Sequence, residues 1–130
     1  PDGRFVAYSS NESGRYEVYD RNMQDLGARW QVSTDGGTEA SWNADGREVY
    51  YLNLDGRLMS VAIGGPPFTA GRPVELFQTP LTVSRAQPTR DRRYDVAPDG
   101  RFLMVVPGAT GAPTPYSVIV NWTDGLARSR

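Results

Sequence analysis

The sequence predicts an all-β protein assembled from repeats, on three observations. An Asp-Gly-Arg turn occurs three times, at Asp2-Gly3-Arg4, Asp45-Gly46-Arg47 and Asp99-Gly100-Arg101, each followed by a strand-like run. The copies stand 43 and 54 residues apart, and self-similarity over tens of residues marks a repeat architecture. Period-two alternation recurs along the chain, while no stretch shows a convincing helical period.

The turn has a physical logic. Gly reaches positive φ without a Cβ clash, and Asp bonds its own backbone in a turn. Asp-Gly between alternating apolar runs is a strong hairpin signal. Pro1 and Pro98 preset φ and cannot donate to a ladder, so they belong at strand ends. A four-stranded propeller blade takes about 40–50 residues. The chain is therefore expected to be a β-propeller segment of about three four-stranded antiparallel blades, covering 1–35, 36–79 and 91–122. The longer second interval is read as one blade plus an insertion.

In order, Phe5–Ser9 reads as a strand, followed by a turn at Ser10–Gly14 and a returning strand at Arg15–Tyr19. Asn22–Ala28 reads as a loop, Arg29–Ser33 as a third strand, and Thr34–Gly37 as a turn. The first blade thus lacks its inner strand. The second blade is complete. Thr38–Trp42 and Arg47–Leu52 flank the Asp45-Gly46 turn, Arg57–Ile63 returns after Asn53–Gly56, Gly64–Gly71 is a loop, and Pro73–Gln78 closes as an outer strand. Thr79–Arg90 is the inserted segment. Arg92–Ala97, Arg101–Val106 and Tyr116–Asn121 are the strands of a third blade without its outer strand, with Gly108–Pro115 as a connection. Trp122–Arg130 is read as one frayed helical turn at most.

Composition narrows the chemistry. The 130 residues carry a net charge of −1, which offers no electrostatic reason for a nucleic-acid or anionic-membrane partner. Cys is absent, so there is neither a disulfide framework nor a thiolate; His, the commonest general base, is absent too. No apolar run approaches eighteen residues, and no membrane contact is expected of this segment. A Gly-x-Ser-x-Gly elbow is missing. Asp91 and Asp95, four apart on a β segment, need not converge as a glycosidase pair would.

Several residues invite a binding role. Asp2, Asp45, Asp55 and Asp99 are hard oxygen ligands in short loops, but Asn53-Leu54-Asp55-Gly56 matches only part of a calcium loop, and turn chemistry accounts for them. Trp30, Trp42 and Trp122, with Tyr8, Tyr19, Tyr50 and Tyr51, could offer stacking surfaces; packing between sheets is preferred. Arg90-Asp91-Arg92-Arg93 is the densest charge cluster. It stands at the entry to an inner strand, where it either contacts an anion through Arg forks or solvates an edge. Glu39 occupies the equivalent entry in the second blade. The candidate binding residues are therefore Glu39, Arg92, Arg93 and Asp95, at the mouth of a central channel; no catalytic, metal or cofactor residue is assigned.

The Pro-Asp-Gly-Arg turn with Phe5-Val6-Ala7-Tyr8, the run Gly36–Tyr51, and the ending Tyr94–Gly100 with Val118-Ile119-Val120-Asn121-Trp122 together resemble the WD-like repeats of TolB-type β-propellers. Asn43-Ala44 departs from the usual Ser-Pro. The resemblance covers essentially the whole chain and implies a repeat scaffold that binds proteins or small ligands, periplasmic or extracellular, without catalytic residues. Some such propellers stand alone, and others are sensor halves of transmembrane serine/threonine kinases. A three-blade arc leaves open faces and edges. These are expected to be covered by further blades of a longer chain or by a second copy that completes a six-bladed ring. The alternatives are the propeller part of a larger enzyme of the prolyl oligopeptidase type and a self-assembling fragment with no native activity.

Overall fold

A computed structural model describes residues 3–88 and 91–106, and the backbone of 117–119. These residues form eleven strands and no helix. The strands are β1 (Phe5–Ser10), β2 (Glu17–Asn22), β3 (Arg29–Gln31), β4 (Thr38–Trp42), β5 (Glu48–Leu52), β6 (Arg57–Gly64), β7 (Thr69–Ala70), β8 (Val74–Gln78), β9 (Tyr94–Val96), β10 (Phe102–Met104) and β11 (Ser117–Ile119). They build three antiparallel sheets in chain order: β1-β2-β3; β4-β5-β6 with β7 and β8 both on β6; and β9-β10-β11. No helix among the described residues is long and apolar enough to cross a membrane. The reading of Trp122–Arg130 and of the 108–115 connection lies outside the described residues.

The repeated turn takes a different geometry from a two-residue hairpin. Such a hairpin in its commonest form needs positive φ at both central residues. Here Gly46 (φ +71°), Gly56 (φ +77°) and Gly100 (φ +82°) have positive φ, while Asp45, Asp55 and Asp99 do not. Each glycine N–H donates back three residues, to the carbonyls of Asn43, Asn53 and Ala97. The strands then close, with Asn53 N–H to Arg57 O and Ala97 N–H to Arg101 O. The Asp side chains accept the amides just past the turn, Asp45 Oδ1 from Arg47 N (2.9 Å) and Asp99 Oδ1 from Arg101 N (3.2 Å). That is the turn chemistry expected of them. Among the described residues no group of three or more Asp and Glu stands together as a metal cluster would.

The second sheet is the middle of the molecule because both its faces are apolar. On β5, Val49 and Tyr51 face one side while Tyr50 and Leu52 face the other, as period-two geometry requires. β6 continues both rows in register: Val49 pairs Val61 and Tyr51 pairs Met59, while Leu52 pairs Leu58. Val49, Tyr51 and Val61 meet Val18 and Val32 of the first sheet region. Tyr50, Leu52 and Leu58 meet Tyr94, Phe102 and Met104 of the third, with Leu81 from the segment between. Phe102 is the hub of that second layer, edge-on to Tyr50 (5.1 Å, 87°) and to Phe77 (5.9 Å, 74°).

Strand edges depart locally from the sequence reading. β2 starts two residues later than Arg15 and runs on through Asp20-Arg21-Asn22, because each of these pairs with β1. Thr69–Ala70, expected within a loop, adds two residues to β6.

Candidate functional site

The four residues at the strand entries come together where β4 meets β9. Glu39 lies at a bulge in β4, between Thr38 and Ser41, and has φ +55°. It is the one described non-glycine residue with positive φ. For an L side chain this is a strained backbone that its surroundings must hold in place. They do so with several bonds. Glu39 Oε1 accepts from Arg93 Nη2 (2.6 Å) and Nε (3.1 Å), and Oε2 accepts from the Arg93 backbone N (2.8 Å). The Glu39 carbonyl accepts the Tyr94 hydroxyl at 2.7 Å. Arg93 Nη1 also reaches the Thr82 carbonyl (3.0 Å).

Arg92 and Asp95 form a second, outer pair. Arg92 Nη1 donates to Ser41 Oγ (2.9 Å) and Nη2 to Asp95 Oδ1 (3.1 Å). The two pairs differ in access. The Glu39 side chain is 1% exposed and Arg93 24%, against 44% and 70% for Arg92 and Asp95. The inner pair ties the second sheet to the third, and its carboxylate is buried and held by three bonds from Arg93. The outer pair faces solvent and borders clefts on several sides. One of about 520 Å³ includes Tyr8, Tyr16 and Glu39, another of about 480 Å³ includes Tyr94 and Leu103, and Arg92 lines both. Of the sequence-derived cluster, Arg90 lies outside the described residues.

The groups here are hydrogen-bond donors and acceptors. Burial raises the Tyr94 phenol well above the ordinary tyrosine range. Burial also raises Tyr51, and raises Tyr50 together with its 2.6 Å hydrogen bond to Glu48. These phenols stay protonated and serve packing. Tyr8 and Tyr19 stack on each other across β1 and β2 at 5.8 Å. Trp30 stacks on Phe68 at 4.3 Å, and Trp42 packs against the layer between the first and second sheets. Trp122 lies outside the described residues.

Two features escaped sequence reading. Glu17, 1% exposed, accepts from Arg15 Nε (2.6 Å), Gly36 N (3.0 Å) and Ser33 Oγ. It closes the end of the first sheet onto the turn that leads to β4. Its place at a strand start resembles many solvated positions, so no local signal marks it. The second is an aromatic cleft around Phe68, a residue in a Pro/Gly loop without periodicity. No protein-family model and no curated protein matches this chain.

Proposed function

We propose that this chain is a segment of a β-propeller and acts as a non-catalytic binding scaffold, whose open outer faces take up further sheets of the same kind. One observation carries the reading: three successive antiparallel sheets, the second and third with the Asp-Gly turn between their first two strands, stack face to face through two apolar layers. Radial repetition of such sheets is the propeller architecture. The strand that leads into one Asp-Gly turn, β4, is tied to the entry of the strand that leads into the next, β9, by the Glu39–Arg93 bridge, which is consistent with successive blades.

Among the described residues, apolar side chains are exposed on the strands at both ends. On β10, Leu103 alternates with buried Phe102 and Met104 and is 45% exposed, and Val105 beyond it is 56% exposed. On β1, Val6 is 41% exposed. An end repeat that stays soluble alone carries a polar outer face; Arg21 and Arg29 share Val6's face of the first sheet, whereas Leu103 and Val105 leave apolar surface open on the third. Light scattering over a concentration series tests the reading. The chain is expected to associate, with two copies as the smallest closed ring, and Leu103→Glu combined with Val105→Glu is expected to return it to one chain. A monomer at every concentration, melting cooperatively, overturns the reading.

A further inference from the structure

We propose that a cleft between the first and second sheets, walled by Phe5, Trp42 and Phe68 with Arg47 at its mouth, binds a small aromatic anion of the aromatic carboxylate type. The cleft holds about 540 Å³, within the range of about 300–1,000 Å³ usual for small-molecule sites. It is formed inside one chain and does not depend on how copies associate.

Its walls are apolar and aromatic. Phe68 meets Phe5 at 5.2 Å, and Trp30, which does not line the cleft, stacks against Phe68 at 4.3 Å and 24°. The wall is thus held rigid by a second ring, and it offers the flat surface on which an aromatic body stacks. Ile63, at the end of β6, adds aliphatic surface.

The mouth is polar and net positive. It carries Arg4, Asp45 and Arg47. Asp45 Oδ1 is occupied by the backbone N–H of Arg47. The Arg47 guanidinium has no hydrogen-bond or ion-pair partner among the described residues. An unengaged guanidinium beside an aromatic wall suits a ligand with a flat ring and a carboxylate head, since the fork matches a carboxylate in both geometry and charge. Three further clefts border Arg92, whose guanidinium is already held by Ser41 and Asp95.

The test is calorimetric titration of the full chain with naphthalene carboxylate and with the uncharged naphthalene carboxamide. The carboxylate is expected to bind, with the amide about tenfold weaker. Arg47→Gln is expected to weaken the carboxylate about tenfold and leave the amide unchanged, and Phe68→Ala to weaken both. Amide NMR spectra check that each variant is folded. Should Phe68→Ala unfold, Phe68→Leu replaces it, keeping an apolar side chain while removing the ring that Phe5 and Trp30 meet, and is expected to weaken both ligands. Equal affinity for the two ligands, an unchanged carboxylate affinity in Arg47→Gln, or no binding at millimolar concentration overturns the proposal.

Discussion

Asp20 is a carboxyl group with no exposed surface in the middle of β2. Its Oδ1 accepts the Arg21 N–H at 2.9 Å, but Oδ2 has no partner among the described residues. It follows Val18 by two residues and so shares the face turned to the second sheet. Burial there pushes its pKa up to about 7. The unfolded chain holds such a group near 3.9. The folded state therefore binds the proton more tightly, and this group's favourable contribution is complete below about pH 4. It is lost progressively as pH rises through about 7. Asp20→Asn removes the titration while keeping the shape. Thermal melts at pH 5 and pH 8 are expected to differ less in the variant than in the parent, and an undiminished difference would contradict the assignment. Nothing in the sequence singles out Asp20, because Asp-Arg-Asn at a strand end reads as the start of a loop. Only its pairing with Ala7 and Trp30 keeps it in the sheet.

Among the elements, β4 shows how a local irregularity links two sheets. A regular strand would carry Glu39 in ordinary alternation; the bulge between Thr38 and Ser41 changes its direction, and the carboxylate meets Arg93, 54 positions away in sequence. Breaking one side of a buried pair leaves an uncompensated charge, whereas an exposed pair matters little. Arg93→Ala is expected to lower stability by about 3–5 kcal/mol, and Arg92→Ala by about 1 kcal/mol or less. Chemical denaturation of the two variants side by side checks this, and equal losses would mean that the Glu39–Arg93 bridge is not what joins the sheets. Sequence reasoning placed both Glu39 and Arg93 at equivalent strand entries, by counting from the Asp-Gly turns. It had no means to pair them. Their contact depends on how two repeats stack, and the strained φ at Glu39 has no signature in residue type. The short β7 was missed for a related reason: two residues between glycines and prolines have no period to read, and the edge of β6 recruits them.

At the scale of the whole molecule, two apolar layers hold three sheets together, and the second sheet belongs to both. Phe102, 1% exposed, is surrounded by Tyr50, Phe77 and Tyr94 and is the main anchor of the third sheet. Removing such a ring costs its transfer energy plus that of the cavity left behind. Phe102→Ala is expected to cost about 3–5 kcal/mol. Hydrogen exchange is expected to show lost protection in 92–106 before the first sheet is affected; uniform loss along the chain would mean that the three sheets open only as one unit. The sequence by itself determined the all-β class, the positions of the Asp-Gly turns and the grouping of strands into three successive units. Those features rest on local chemistry: positive φ at glycine, period-two alternation and the turn-forming carboxylates. Which face of each sheet is covered, the Glu39–Arg93 bridge, the burial of Asp20 and the aromatic cleft with Arg47 at its mouth were decided only in the tertiary structure. Each depends on side chains distant in sequence meeting across stacked sheets, and a strand's own alternation shows that it has two faces without telling what either will touch.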